Sequence, residues 1–165
     1  MNLFCSKNLS MFEKAVLVIR HPLHAFVAEI NRRLQNSFEY ASIEKWNSIK
    51  DIDNLTSKNM LPNWIEFHEN IIKNYKHPLH IVRYESLLED PISILSGVLG
   101  FLNVEMTNEL KLCLTEDFEG PFRRPLRPQE EKEAILNKFS KESIDSFNHS
   151  YEDILKKVYS MDSIS

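Results

Sequence analysis

Glycine is scarce in this sequence. Of 165 residues only Gly97, Gly100 and Gly120 are glycine. A loop that cradles phosphate through successive backbone N–H groups needs glycine to bring the chain close to the anion. None precedes position 97, so no such loop is readable ahead of the first predicted strand. Cysteine is scarcer still. Cys5 and Cys113 lie far apart, in neither a CxxC pair nor a zinc-ligand spacing, and two cysteines make no disulfide framework. Cys113, set among Leu110, Leu112 and Leu114, reads as a small buried hydrophobe. There is no excess of positive charge either. Twenty Lys and Arg against twenty-four Asp and Glu give a net charge of −4, which argues against a nucleic-acid binder. Any anion site must then be local, built from a few placed arginines. No apolar run is long enough to span a bilayer, and Met1-Asn2-Leu3-Phe4-Cys5-Ser6-Lys7 has no apolar signal-peptide core. Taken literally, the sequence reads as soluble.

What is present is a hydrophobic content of 42%, enough for one globular domain over residues 1–165, with residues 1–13 a poorly defined N-terminal segment. Ala15-Val16-Leu17-Val18-Ile19 is a short, β-branched, continuously apolar run, the pattern of a buried parallel strand. Arg20-His21-Pro22 ends it. Phe26, Val27, Ile30 and Leu34 then recur at helical spacing, with Glu29, Arg32 and Arg33 largely opposite. Residues 36–59 are weakly patterned and read as a long loop with a short helix near residues 43–49. Pro62 opens a helix carrying Trp64, Ile65, His68, Ile71, Ile72 and Tyr75 on one face. Leu79-His80-Ile81-Val82-Arg83 reads as a second strand. Asp90-Pro91 is an N-cap with proline at the first helical position, followed by Ile94, Leu95, Val98, Leu99 and Leu102. Thr107 can cap a further helix, and helical patterns occupy residues 129–139 and 141–159. The fold class is α/β: short parallel strands flanked by helices, with a helical C-terminal part.

Three short constellations carry candidate chemistry. Arg20 directly follows the first strand, where open α/β sheets bind ligands, and its planar fork suits phosphate. Tyr84 and Glu85 follow the second strand, and the tyrosine could face a nucleotide or the core. Pro121-Phe122-Arg123-Arg124 is a proline-bounded basic loop that Arg127 extends. Each has a plain structural alternative: a local ion pair, a core aromatic, a solvated basic loop. His-Pro-Leu-His occurs at 21–24 and 77–80, but the copies fall in different predicted contexts, so no metal site is expected.

In their order and spacing these pieces resemble the sulfotransferases that use 3′-phosphoadenosine 5′-phosphosulfate (PAPS). Lys14-Ala15-Val16-Leu17-Val18-Ile19-Arg20-His21-Pro22 looks like the family's strand ending in Arg-x-Pro. Val82-Arg83-Tyr84-Glu85-Ser86-Leu87 looks like its Tyr-Glu-x-Leu element, and Phe122-Arg123-Arg124 like its late 3′-phosphate loop. Val27-Ala28-Glu29-Ile30-Asn31-Arg32, Phe101-Leu102-Asn103-Val104 and Glu119-Gly120-Pro121-Phe122-Arg123-Arg124 resemble the WSC-domain-containing branch, whose members point to a glycan acceptor and the Golgi. The resemblance runs from about Lys14 to about Arg127. It implies a partial P-loop-like fold in which Arg20, Arg123, Arg124 and Tyr84 bind PAPS as sulfate donor, with no metal. It also implies N-terminal truncation, because the family's 5′-phosphosulfate loop and catalytic base lie upstream of the Arg-x-Pro strand. Ala28 stands where many members have a serine ligand, Pro125 follows Arg124 without a nearby glycine, and neither Glu29 nor Glu85 matches the base. Two readings stay open: a sulfate-transferring enzyme, or a non-catalytic nucleotide- or partner-binding fragment whose open sheet edge a protein partner would cover.

Overall fold

The computed structural model describes residues 12–35, 39–116 and 127–162. The protein is mixed α/β and mostly helical, with one two-stranded parallel sheet among the described residues. It divides into two compact units: Met1–Arg20 with Asn70–Gly120, and His21–Glu69 with Pro121–Ser165.

In the first unit, strand β1 (Ala15–Ile19) pairs with β2 (Leu79–Arg83) in the register Ala15↔Leu79 to Ile19↔Arg83. The Ala15 N–H extends the ladder by donating to the Pro78 carbonyl at 3.1 Å. Leu17 and Ile19 are buried, but Val18 between them is 49% exposed, so β1 is not enclosed on both faces as its apolar run suggested. The cause is the helix above. By alternation Val18 shares a face with His80 and Val82. That face meets helix α5 (Pro91–Phe101) on the β2 side, where the His80 ring stacks on Phe101 at 5.2 Å and Gly97 leaves 3.8 Å between an added Cβ and His80.

Helix α4 (Tyr84–Glu89) leaves β2 without a loop, Arg83 being its extended N-cap residue. Helix α5 (Pro91–Phe101) starts as the sequence predicts, with the Asp90 carboxylate accepting the Ser93 N–H at 3.1 Å and Pro91 in the first turn. Its end is a Schellman turn. Asn103 takes φ 60°, its N–H donates to Gly100 and the Val104 N–H donates to Leu99 at 2.8 Å. Asparagine substitutes here for the usual glycine because its short polar side chain tolerates the left-handed region. Lys14 Nζ donates to the Phe101 carbonyl at 2.7 Å, closing the same helix end. Thr107 Oγ1 accepts the Leu110 N–H at 3.2 Å and caps helix α6 (Asn108–Glu116). Leu110, Leu112 and Cys113 are exposed there. Cys113 is therefore a free surface thiol and not the buried hydrophobe its neighbours suggested; Cys5 lies outside the described residues.

The second unit is helical. Its core gathers Phe26 and Ile30 from α1 (Pro22–Gln35), Trp46 from α2 (Ile43–Asn47), Ile135 from α7 (Gln129–Leu136) and Phe147 from α8 (Lys141–Asp162). Phe147 meets Phe26 edge-on at 5.3 Å. Residues 36–59, read from sequence as a long loop around one short helix, contribute Ala41, Trp46, Ile52 and Thr56 to the interior. They include α2 and all but the last residue of a π-helical stretch, Asn54–Met60, that runs into helix α3 (Leu61–Asn74). Asp53 ties this stretch to α8: its carboxylate accepts the Ser140 N–H at 3.1 and 3.2 Å, while Ser140 Oγ accepts the Ser143 N–H. His21 caps α1, its Nδ1 accepting the Leu23 N–H at 3.3 Å and its Nε2–H donating to Asn148 Oδ1 at 2.9 Å. No helix among the described residues is long and apolar enough to cross a membrane.

Candidate functional site

The strand register determines the site. Ile19 pairs with Arg83, so the next residue off each parallel strand, Arg20 and Tyr84, emerges at the same carboxyl edge. Ligands of open α/β sheets bind at that edge. The two side chains meet. The Arg20 guanidinium carbon lies 4.4 Å from the centroid of the Tyr84 ring and over its face, within cation–π range. Beneath them Ile19 is fully buried and Val82 is 3% exposed, so the pair stands on packed strands.

Arg20 Nε is buried, yet has no hydrogen-bond partner among the described residues. A buried donor left unpaired costs about 1–3 kcal/mol, and such groups are uncommon in folded proteins. An incoming anion would relieve that cost with a charge-assisted bond.

Other arginines are committed elsewhere. Arg32 donates to both oxygens of Glu29 at 2.7 and 2.8 Å, and Arg33 to one of them at 2.7 Å. The hydrogen bonds from Arg32, with help from Arg33, outweigh burial and hold the Glu29 carboxyl down at about 2. A carboxylate so acidic is a poor proton acceptor. Arg127, which the sequence placed in the basic loop as an extension of its patch, is only 7% exposed. Its Nη2 donates to Asn31 Oδ1 and to the Ala41 carbonyl, each at 2.9 Å, and its Nη1 to Glu131 at 3.2 Å. It also lies over the Tyr40 ring at 4.6 Å. Arg127 is thus a buried tie between α1 and residues 40–41, not a free cation. Sequence reasoning missed this role. The only signal was Asn31, a polar residue next to the apolar face of α1.

Of the residues singled out from sequence, Arg20 and Tyr84 come together; Arg123 and Arg124 lie outside the described residues. Ala28 is a half-buried position of α1. Among the described residues no group of three or more His, Cys, Asp or Glu side chains is placed to hold a metal. His68 is buried in α3, and burial pushes its imidazole below the ordinary value despite the hydrogen bond from Nδ1 to the Trp64 carbonyl at 2.7 Å.

No family model matches the sequence, and no solved structure matches it. Curated relatives do. A WSCD family member of Aedes aegypti is 31% identical over 117 residues, which cover 70% of this chain and 37% of the relative. WSCD family members of Drosophila melanogaster and Drosophila pseudoobscura pseudoobscura are each 28% identical, over 123 and 122 residues, covering 74% and 73% of this chain and 39% of either relative. The chain therefore spans well under half the length of the relatives it matches. Over about 70% of its own length it is homologous to the WSCD family members.

Proposed function

We propose that this chain carries part of the donor site of a PAPS-dependent sulfotransferase, with Arg20 as a ligand of the nucleotide's 3′-phosphate. One observation carries the reading: a buried arginine Nε with no hydrogen-bond partner among the described residues, at the carboxyl edge of two parallel strands. The motif order from Lys14 to Arg127 and the homology to WSCD family members support it. Arg123 and Arg124 would share the 3′-phosphate charge. The fold this implies is the P-loop-like sulfotransferase fold, the acceptor a glycan hydroxyl and the compartment the Golgi.

In the reaction the acceptor oxygen bonds to sulfur in line as the bond from sulfur to the 5′-phosphate oxygen breaks. The electron pair stays on that oxygen, adenosine 3′,5′-bisphosphate departs and the hydroxyl proton passes to a base. Positioning and charge stabilisation dominate such transfers, as they do for phosphoryl groups. The contribution assigned to Arg20 is binding and orientation of the donor at its far end from the sulfur.

The test is thermal unfolding with and without adenosine 3′,5′-bisphosphate. Ligand at 100 times its dissociation constant stabilises a binder by about 2.7 kcal/mol. Arg20→Ala should abolish the shift, whereas Arg33→Ala should retain it because Arg33 is held by Glu29. A folded wild-type chain that shows no shift refutes the reading. Binding without transfer of labelled sulfate to any glycan would favour the alternative, a non-catalytic nucleotide-binding module.

A further inference from the structure

We propose that Tyr84 is a positioning residue for Arg20, acting through its ring face and not its hydroxyl, so that the guanidinium meets a phosphate monoester side-on through Nε–H and the neighbouring Nη–H. This deepens the donor-site reading and rests on Arg20 being the anion ligand.

The argument lies in how the arginines are held. A carboxylate that fixes a guanidinium takes its N–H groups and offsets its charge, as Glu29 does in part for Arg32 and Arg33. Carbonyl oxygens also take N–H groups, as at Arg127. An aromatic face does neither. It attracts the cation through the ring quadrupole and leaves the donors at the guanidinium edge for another partner. Arg20 lies over Tyr84 and its Nε is unpaired among the described residues. Nε and one Nη form the side-on fork that suits two phosphate oxygens. The Tyr84 face beneath the Arg20 guanidinium is thereby engaged, so a nucleotide base cannot stack on that face. Tyr84 itself is located by the Ile19↔Arg83 register and the immediate start of α4.

Two measurements test this on the full chain. In nitrogen-15 spectra without ligand, the Arg20 Nε–Hε cross-peak, assigned by its loss in Arg20→Lys, should be ring-current shifted upfield in wild type and Tyr84→Phe. It should return to the ordinary arginine position in Tyr84→Leu. Binding of adenosine 3′,5′-bisphosphate should stay within about twofold in Tyr84→Phe and weaken about tenfold in Tyr84→Leu, in line with a half-buried cation–π contact. An unshifted wild-type cross-peak overturns the proposal even if Tyr84→Leu fails to fold. Equal loss of binding in Tyr84→Phe and Tyr84→Leu also overturns it, because the hydroxyl would then be the contact. Should wild type bind no nucleotide while the cross-peaks behave as stated, the donor-site reading fails and the ring-face contact stands.

Discussion

Replacing Arg127 by methionine tests whether a residue of the basic stretch is a surface charge or an internal tie. Methionine keeps much of the apolar stem and removes the guanidinium. The change breaks the 2.9 Å bonds to Asn31 Oδ1 and the Ala41 carbonyl. Asn31 Oδ1 retains the Ala41 N–H at 2.8 Å, so the carbonyl of Ala41 is the acceptor most exposed to loss. Leaving such a group unsatisfied costs about 1–3 kcal/mol, and the charged bonds themselves contribute about 1.5–3 kcal/mol each before compensation. The pair with Glu131 adds little, under about 1 kcal/mol, because the Glu131 side chain is 42% exposed. Arg127→Met should therefore destabilise the fold by about 2–4 kcal/mol. Urea unfolding followed by tryptophan fluorescence reads this directly. With a slope of about 2 kcal/mol per molar the midpoint should fall by about 1–2 M. Glu131→Gln should lose less than about 1 kcal/mol. If Arg127→Met costs no more than Arg33→Ala, whose side chain is 57% exposed, the internal tie is refuted.

Asp53→Ala should destabilise the fold by about 1 kcal/mol, the usual worth of a lost helix cap, and raise hydrogen exchange at Ser140 first. Burial raises the Asp53 carboxyl, but the hydrogen bonds from Ser143 and Ser140 outweigh it and lower the pKa below the ordinary value. Its stabilisation is then present above the ordinary aspartate range and lost as pH falls through the lower folded-state value, a dependence that Asp53→Ala should remove. His68 should give a separate acid loss. Because burial lowers its folded-state pKa, stability falls as pH drops from the ordinary imidazole value through the lower one, and His68→Phe should flatten that part of a melting-temperature profile. Gly97→Ala and Gly100→Ala should each stabilise α5 by about 0.5–1 kcal/mol, since an added Cβ meets only ordinary contact at Gly97 and open space at Gly100; a fall in melting temperature for both would contradict this.

Local chemistry was legible where it acts within a few residues. The strands at Ala15–Ile19 and Leu79–Arg83, the Asp90-Pro91 start of α5 and the Thr107 cap all follow from short patterns. So does α8, whose apolar positions Phe147, Tyr151, Ile154 and Val158 are buried, with Ile144 and Leu155 half-buried. What was not legible depends on distant partners. Trp46 reads as an isolated aromatic in a polar stretch, and only the helices around it make it fully buried. Arg127 carries the same charge whether it is solvated or bonded to Asn31, and no window of sequence contains both. Val18 and Cys113 fail in the opposite sense, since apolar neighbours in the chain do not guarantee cover in space. At the site, the sequence placed Arg20 and Tyr84 after separate strands; the parallel register is what joins them.

That register makes the site sensitive to chain length more than to side-chain identity. A conservative exchange inside either strand leaves the two emergent residues side by side. Removing one residue from either strand moves its follower one step along the ladder and turns it to the opposite face. Arginine and tyrosine would then part even with every atom of both retained. Single-codon deletions within 15–19 or 79–83 should for this reason be less tolerated than most substitutions at the same positions.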